Sequence, residues 1–396
     1  MNRLDGGKAS LATLLVLATT VACSNSSATP AVTRSGTATP GPFHASPSPV
    51  ASPTATVTPG SGIAAAGTAG PSPDPADLPG KTAPCAPESA IALGNGKILT
   101  WDGCWTLFDP ATGMFTPTGS TTIAFQTDYQ PPNPAVLLKS GQVYFPNGEI
   151  YDPATGRFYP VGVRVASSTA TLLPDGRVFV LAYDTTDHNE FVAGHVAPQI
   201  YDPRTGKATP AGPMPFQLDG LAITLADGRV LVLGPAYPLQ TKQGLLYDPT
   251  TNTFARTGST RMYPSCIANL GNGRVLVAGD PDSPIAEVYD PGTEQFTTVA
   301  PMVRLMAAQC VTLADGRVLA LGTVASDQDS AVGPLVCSAE IYDPKANRWT
   351  DLGNLVPNLL DPVLVALPDG RAVVLGGDND TAQFFDPKTN KFVANN

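Results

Sequence analysis

Charge is scarce in this chain, and basic charge scarcer still. Only 14% of its 396 residues are Asp, Glu, Lys or Arg, and 23 Lys+Arg face 33 Asp+Glu for a net charge of −10. That excludes a nucleic-acid partner, because no cationic surplus exists to displace backbone counterions. Histidine is almost missing: His44, His188 and His195 are the three in the chain, which leaves little for an imidazole-built metal centre. The one long apolar run, Leu11 to Val21, is shorter than the roughly 20 residues a membrane span needs. No Gly-x-Ser-x-Gly elbow, phosphate loop or dinucleotide fingerprint occurs. What abounds is Pro (41) and Gly (38), too much punctuation for a helical bundle and enough for many turns.

The N-terminal segment reads as an address. Arg3 and Lys8 precede the apolar run, which ends in Thr20-Val21-Ala22-Cys23, a segment that resembles a bacterial lipobox. Residues 1–22 are therefore expected to be a lipoprotein signal peptide, with Cys23 the lipidated residue. Residues 23–83 are Ser, Thr, Ala, Pro and Gly almost throughout, with Phe43 the lone large aromatic. Such a stretch cannot bury enough apolar surface to offset its ordering entropy, so a disordered tether is expected. The expected location is the outer face of a bacterial cytoplasmic membrane, or otherwise the cell surface or exterior. The membrane contact would be the lipid anchor alone.

Residues 84–396 repeat one unit. Turn glycines at Gly96, Gly141, Gly176, Gly228, Gly273, Gly316 and Gly370 alternate with Asp109, Asp152, Asp202, Asp248, Asp290, Asp343 and Asp386 of a Tyr/Phe-Asp-Pro phrase. The aspartates lie 42 to 53 residues apart, a period that suits a propeller blade. In the third copy the residues predict strands at Ala170–Leu173, Arg177–Leu181, Pro198–Tyr201 and Lys207–Pro210. Asp175-Gly176 would supply the positive φ angles of a primed hairpin turn. Asp202-Pro203 would open the second turn and Gly206 close it in the left-handed region. The fold class expected is all-β: one seven-bladed β-propeller of four-stranded antiparallel blades, since such blades bury their faces only by stacking. Each repeat supplies its own four strands, which leaves open how the ring closes.

The phrase running from Arg304 through Leu313-Ala314-Asp315-Gly316-Arg317-Val318-Leu319 to Glu340-Ile341-Tyr342-Asp343-Pro344 and Trp349 is similar to a bacterial kelch repeat. That family includes the galactose oxidase superfamily, and the resemblance implies a propeller. Arg261-Met262-Tyr263-Pro264-Ser265 resembles the Arg-x-Tyr-His-Ser segment of the superfamily's copper-radical oxidases, where Tyr and His ligate copper. Here Pro264 takes the histidine's place and cannot ligate. No copper site, and no other cofactor or metal, is expected.

Turns joining strands 1–2 and 3–4 would lie on one face and are uniformly tight. The 2–3 loops, long in blades three, four and six, would lie with the inter-blade loops on the other, where repeat scaffolds usually bind. Arg164, Arg261 and Arg304 occupy equivalent positions before the innermost strands, and Tyr129 stands at the same position in blade two. They are expected to crowd the channel mouth, with Tyr263 beside them, and guanidinium forks there would suit a carboxylate or anionic sugar. The alternative is that each arginine pairs with an acid such as Asp128, Asp219 or Asp361. Asp184 to His195 has the ligand types for zinc or calcium but the spacing of neither a zinc helix motif nor an EF-hand, and reads as a solvated polar loop; Asp280-Asp282 and Asp378-Asp380 are calcium suggestions of the same kind.

Export permits disulfides. Cys85–Cys104 is expected within blade one and Cys310–Cys337 within blade six, leaving Cys266 as a small buried hydrophobe. The function expected is binding of a carbohydrate or an extracellular protein by a monomer through the long-loop face. A carbohydrate-active hydrolase or lyase in the channel mouth ranks behind it, and a structural envelope scaffold is the third reading.

Overall fold

The computed structural model describes residues 89–102, 104–122, 135–161, 167–182, 196–237, 242–280, 283–304, 306–325, 335–355, 362–376 and 381–394. Among them every regular element is a strand, and seven four-stranded antiparallel sheets follow one another along the chain. Blade three is representative, with strands Ser167–Leu172, Val178–Ala182, Gln199–Asp202 and Lys207–Pro210. Blade four adds a two-residue ladder, Gln217–Leu218 with Ala236–Tyr237, above its first two strands.

The apolar interior is partitioned by the blades. Each hydrophobic cluster among the described residues spans one pair of neighbours, as where Tyr144 and Val136 of blade two meet Val178 and Tyr201 of blade three. No blade has a core of its own. The first strands of successive blades adjoin all the way round, and that of blade seven meets that of blade one. Closure is therefore by packing of whole blades: Ile98, Phe108 and Phe115 lie against Val363, Val373 and Phe384, with the Phe108 and Phe384 rings 6.2 Å apart.

Two turns build every blade. Between strands one and two, the Gly176 amide bonds the Leu173 carbonyl (2.9 Å) and Leu173 bonds Arg177 (2.8 Å). Only the glycine has positive φ (+92°). This corrects the primed turn expected from Asp-Gly: the loop is a type I turn followed by a glycine bulge, the commonest three-residue hairpin. Between strands three and four, the Asp202 carboxylate accepts the Arg204 amide at 2.9 Å and Gly206 closes the turn at φ +67°. The closing position is glycine in blades one to three, Asn252, Asn347 and Asn390 in blades four, six and seven, and Glu294 in blade five, all at positive φ. Asparagine tolerates that region because its short side chain bonds locally.

One disulfide is set by this architecture. Cys266 and Cys310 are bonded, with Cα atoms 5.6 Å apart, joining the first strand of blade five (Cys266–Asn269) to the first strand of blade six (Met306–Thr312). The expected Cys310–Cys337 bridge is thus wrong, and so is the free Cys266. Cys310 faces Ala320 and Cys337 faces Thr323 on the intervening strand, so two strand spacings across and three residues along, roughly 14 Å in all, separate them. Cys104 and Cys337 are each disulfide-bonded as well; Cys85 lies outside the described residues, as does Cys23.

Candidate functional site

The loop face is built from the crossovers that leave one blade's fourth strand and enter the next blade's first. Three buried glutamates anchor them. Glu149, Glu287 and Glu340 are 1%, 2% and 0% exposed, and each stands three residues before the turn aspartate on the third strand of blades two, five and six. Glu149 accepts the Thr122 amide (2.6 Å) and hydroxyl (2.7 Å) and the Thr121 hydroxyl. Glu287 accepts the Thr260 hydroxyl at 2.6 Å and the Arg261 amide at 3.0 Å. Glu340 accepts the Arg304 amide at 2.6 Å on one oxygen and the Val303 amide at 2.8 Å on the other. A carboxylate suits this task because it is acceptor-only, and a buried crossover amide without a partner costs about 1–3 kcal/mol.

Held in this way, the crossover into blade six does not aim its arginine at the axis. Arg304 turns outward, its Nε 3.0 Å from Asp351 Oδ2 and one terminal nitrogen 3.2 Å from Oδ1. Asp351 belongs to the fourth, outermost strand of blade six (Arg348–Asn354). The expectation that Arg304 crowds the channel mouth is therefore overturned: the acid opposite it on its own blade's outer edge captures the guanidinium. Arg164 and Tyr129 lie outside the described residues, as do His188 and His195.

Arg261 behaves differently. Its backbone is pinned on both sides, the amide by Glu287 and the carbonyl by the Lys242 ammonium at 2.7 Å. Met262 beside it is fully buried. The side chain, however, is 71% exposed, with Nε 3.9 Å from Glu287 Oε1 as its one acidic neighbour among the described residues. Tyr263 continues the segment: its amide donates to Asp280 Oδ2 at 3.1 Å, and Lys242 Nζ lies 4.5 Å from its ring centroid. Lys242 is also 3.9 Å from Asp280, whose side chain is 8% exposed. Ser265 donates to the Gly279 carbonyl at 2.7 Å.

The result is a patch between blades four and five in which cations stand outward over buried acids. Sequence reasoning found Arg261 and Tyr263 and named Asp280 only beside Asp282 as a metal suggestion, and it missed Lys242 and the three glutamates. The glutamates left a signal, recurring as Glu-Ile/Val-Tyr-Asp; Lys242 left none.

Chemically the patch can bind but is poorly equipped to cleave. Glycoside hydrolysis needs two carboxyl groups flanking the bond, whereas Asp280 and Glu287 are buried and taken up by amides and hydroxyls. Nor does the donor set at Arg261–Ser265 fit copper. Pro264 has no ligating atom, no histidine lies among the described residues, and no cluster of three His, Cys, Asp or Glu side chains is placed to hold a metal there.

No family model matches the chain, and no curated protein matches it. Among the solved structures that match is a novel fungal alcohol oxidase with catalytic diversity among the AA5 family, in complex with copper. It is 18% identical, with a TM-score of 0.43, over 83% of this chain and 67% of that one. A likeness of that size transfers neither activity nor copper.

Proposed function

We propose that this seven-bladed propeller is a binding protein whose loop face takes carbohydrate, and that the patch between blades four and five anchors a carboxylate-bearing sugar. The observation that carries the reading is the contrast between two equivalent arginines. Arg304 has its fork occupied by Asp351, whereas Arg261 stands open to solvent, two residues from Tyr263, whose ring carries Lys242 on one side. An exposed guanidinium fork matches a carboxylate bidentately, and the side of the Tyr263 ring away from Lys242 would offer a sugar an apolar face. The buried acids beneath hold the backbone in place without competing at the surface.

Export and lipidation at Cys23 belong to the same proposal. The Cys266–Cys310 bond supports it, since disulfides of this kind persist in oxidising compartments. A Cys23→Ser variant should leave the membrane fraction for the medium.

Binding is tested on an array of neutral and uronate-bearing glycans with the full chain. Arg261→Ala should weaken uronate binding by about tenfold or more, the scale of one charge-assisted fork. Arg304→Ala should leave it unchanged. Retention of no glycan at all, or equal binding by Arg261→Ala, refutes the proposal.

A further inference from the structure

On the tight-turn face, three of the four Asp-Gly-Arg turns act as clamps between blades. The turn aspartate orients its arginine: Arg177, Arg229 and Arg317 each place Nε 2.7 to 2.9 Å from the Oδ2 of Asp175, Asp227 and Asp315. Held there, each guanidinium donates to the proline carbonyl of the next blade's Tyr-Asp-Pro turn. These carbonyls are Pro249 (3.3 Å), Pro291 (2.8 Å) and Pro387 (2.5 Å). The seams from blade three to four, four to five and six to seven are closed in this way.

Among the described residues no such bond crosses the other four seams: blades one and two have Lys97 and Gln142 in place of the arginine, and in blade seven Arg371 bonds Asp369 but lies over Phe384. The seam from blade five to six lacks the clamp for another reason. Its turn is Asn272-Gly273-Arg274, and the Asn272 carbonyl oxygen still accepts the Arg274 amide at 3.1 Å. The other position of an asparagine is an NH2 donor, which cannot receive the arginine Nε. Arg274 instead swings back to Asp290 of its own blade, 3.0 Å away, and among the described residues no guanidinium reaches the Pro344 carbonyl. The apolar side of this seam packs Leu270, Leu276, Met302, Tyr342 and Trp349 with several alanines around the two cysteines. It is across this seam that the Cys266–Cys310 bond runs, with the two residues 1% and 5% exposed.

We infer that the disulfide is the substitute for the missing clamp, and that completion of the ring at the five–six seam depends on oxidation of these two thiols during folding. The Cys266 and Cys310 thiols lose two protons and two electrons and gain one S–S bond. The acceptor is a disulfide oxidant, of a thiol–disulfide oxidoreductase or of glutathione, whose own S–S bond breaks to give two thiols. The partner implied is a thiol-oxidising folding system, and the bond it installs is then shielded from reduction by burial.

The full chain is denatured, reduced, and refolded with or without glutathione disulfide, and hydrogen exchange is read by mass spectrometry at every first strand. Without oxidant, amides of Cys266–Asn269 and Met306–Thr312 should lose protection by about a hundredfold or more, given the 44-residue loop the bond closes. The first strands of blades three, four and seven, Ser167–Leu172, Leu221–Thr224 and Val363–Ala366, should stay protected, and glutathione disulfide should restore the rest. A Cys266→Ala/Cys310→Ala variant, which keeps every other cysteine, should show the same local loss. Adding Asn272→Asp to that variant completes an Asp-Gly-Arg turn and should recover about tenfold of the protection. Equal loss at all seams, or full protection at the five–six seam in the reduced wild type, overturns the inference.

Discussion

Replacing Gly206 with asparagine should stabilise this protein. The hydroxyl of Tyr201 is buried without a hydrogen-bond partner, and burial pushes its pKa up to about 12. Its counterparts are satisfied in one of two ways. Tyr247 and Tyr342 donate to the side chains of Asn252 and Asn347 five residues on, at 2.7 and 3.1 Å. Tyr151 and Tyr289 instead bond Thr118 and Thr257 of the preceding blade, each at 2.8 Å. Blade three has neither, because Val161 stands where those threonines would be and Gly206 where the asparagines would be. Gly206 already has φ +67°, close to the 56° of Asn252, and a Cβ there meets nothing within 4 Å. Giving a buried hydroxyl its acceptor contributes about 1 kcal/mol, and removing glycine's unfolded-state freedom about 0.5 more. Asparagine's residual cost in the left-handed region subtracts a few tenths.

A net gain of about 1–1.5 kcal/mol should raise the Tm by roughly 2–5 °C, read by calorimetry. Gly206→Ala should do the opposite, losing about 1 kcal/mol to the same φ with no bond in return. Tyr201→Phe should be nearly neutral in the wild type but should cancel most of the asparagine's gain in the double variant. The reasoning is refuted if Gly206→Asn is no more stable than wild type, or is stabilised equally with Phe at 201.

Other outcomes are equally specific. Gly234→Ala would set its Cβ 1.9 Å from the Asp219 carbonyl and 2.8 Å from the Gly220 Cα; it should cost more than about 3 kcal/mol in denaturant melts, while Gly271→Ala, with open space around it, should not. Glu340→Gln must point an NH2 at either the Val303 or the Arg304 amide, so a loss of about 2 kcal/mol is expected, with faster exchange at those two amides. Acid should loosen the tight-turn face. Asp202 is held below its ordinary 3.8 by the Arg204 side chain, Asp248 by the Thr250 hydroxyl and Asp386 by the Lys388 amide. In Asp175, Asp315 and Asp369 partial burial opposes the same lowering, but bonds from Arg177, Arg317 and Arg371 outweigh it. Lowered folded-state values stabilise above about 3.8 and are lost as pH falls through them, so the Tm should be level from pH 7 to 5 and drop below about 4. A Tm that stays level down to pH 2.5 would contradict this.

The blades were legible because their information is local. Seven glycines and seven aspartates at fixed places specify both turns, and the fourth strand of blade three, Lys207–Pro210, falls where the residues place it. What escaped was everything decided across strands or between blades. Asp-Gly suits both a primed turn and a glycine bulge, and only the pairing of Leu173 with Arg177 separates them. Arg304 is captured by an acid on an outer strand 47 residues away. Cys310 finds its partner in another blade because inner strands of neighbouring blades stand closer than strands one and three of a single blade. The glutamates were visible as letters, but their partners are backbone amides, which carry no signature.

Ring closure by whole blades also bears on how such a chain can be rearranged. In a ring fastened by a strand shared between its two ends, cutting elsewhere leaves a divided blade. Here all four strands of every blade are contiguous in sequence, so any crossover is a candidate breakpoint. A circular permutant opened between blades two and three would contain the same seven sheets and seams, with only one tether exchanged for another. Gain or loss of one in-frame repeat would likewise leave every remaining blade complete, asking the ring only to adjust its angle.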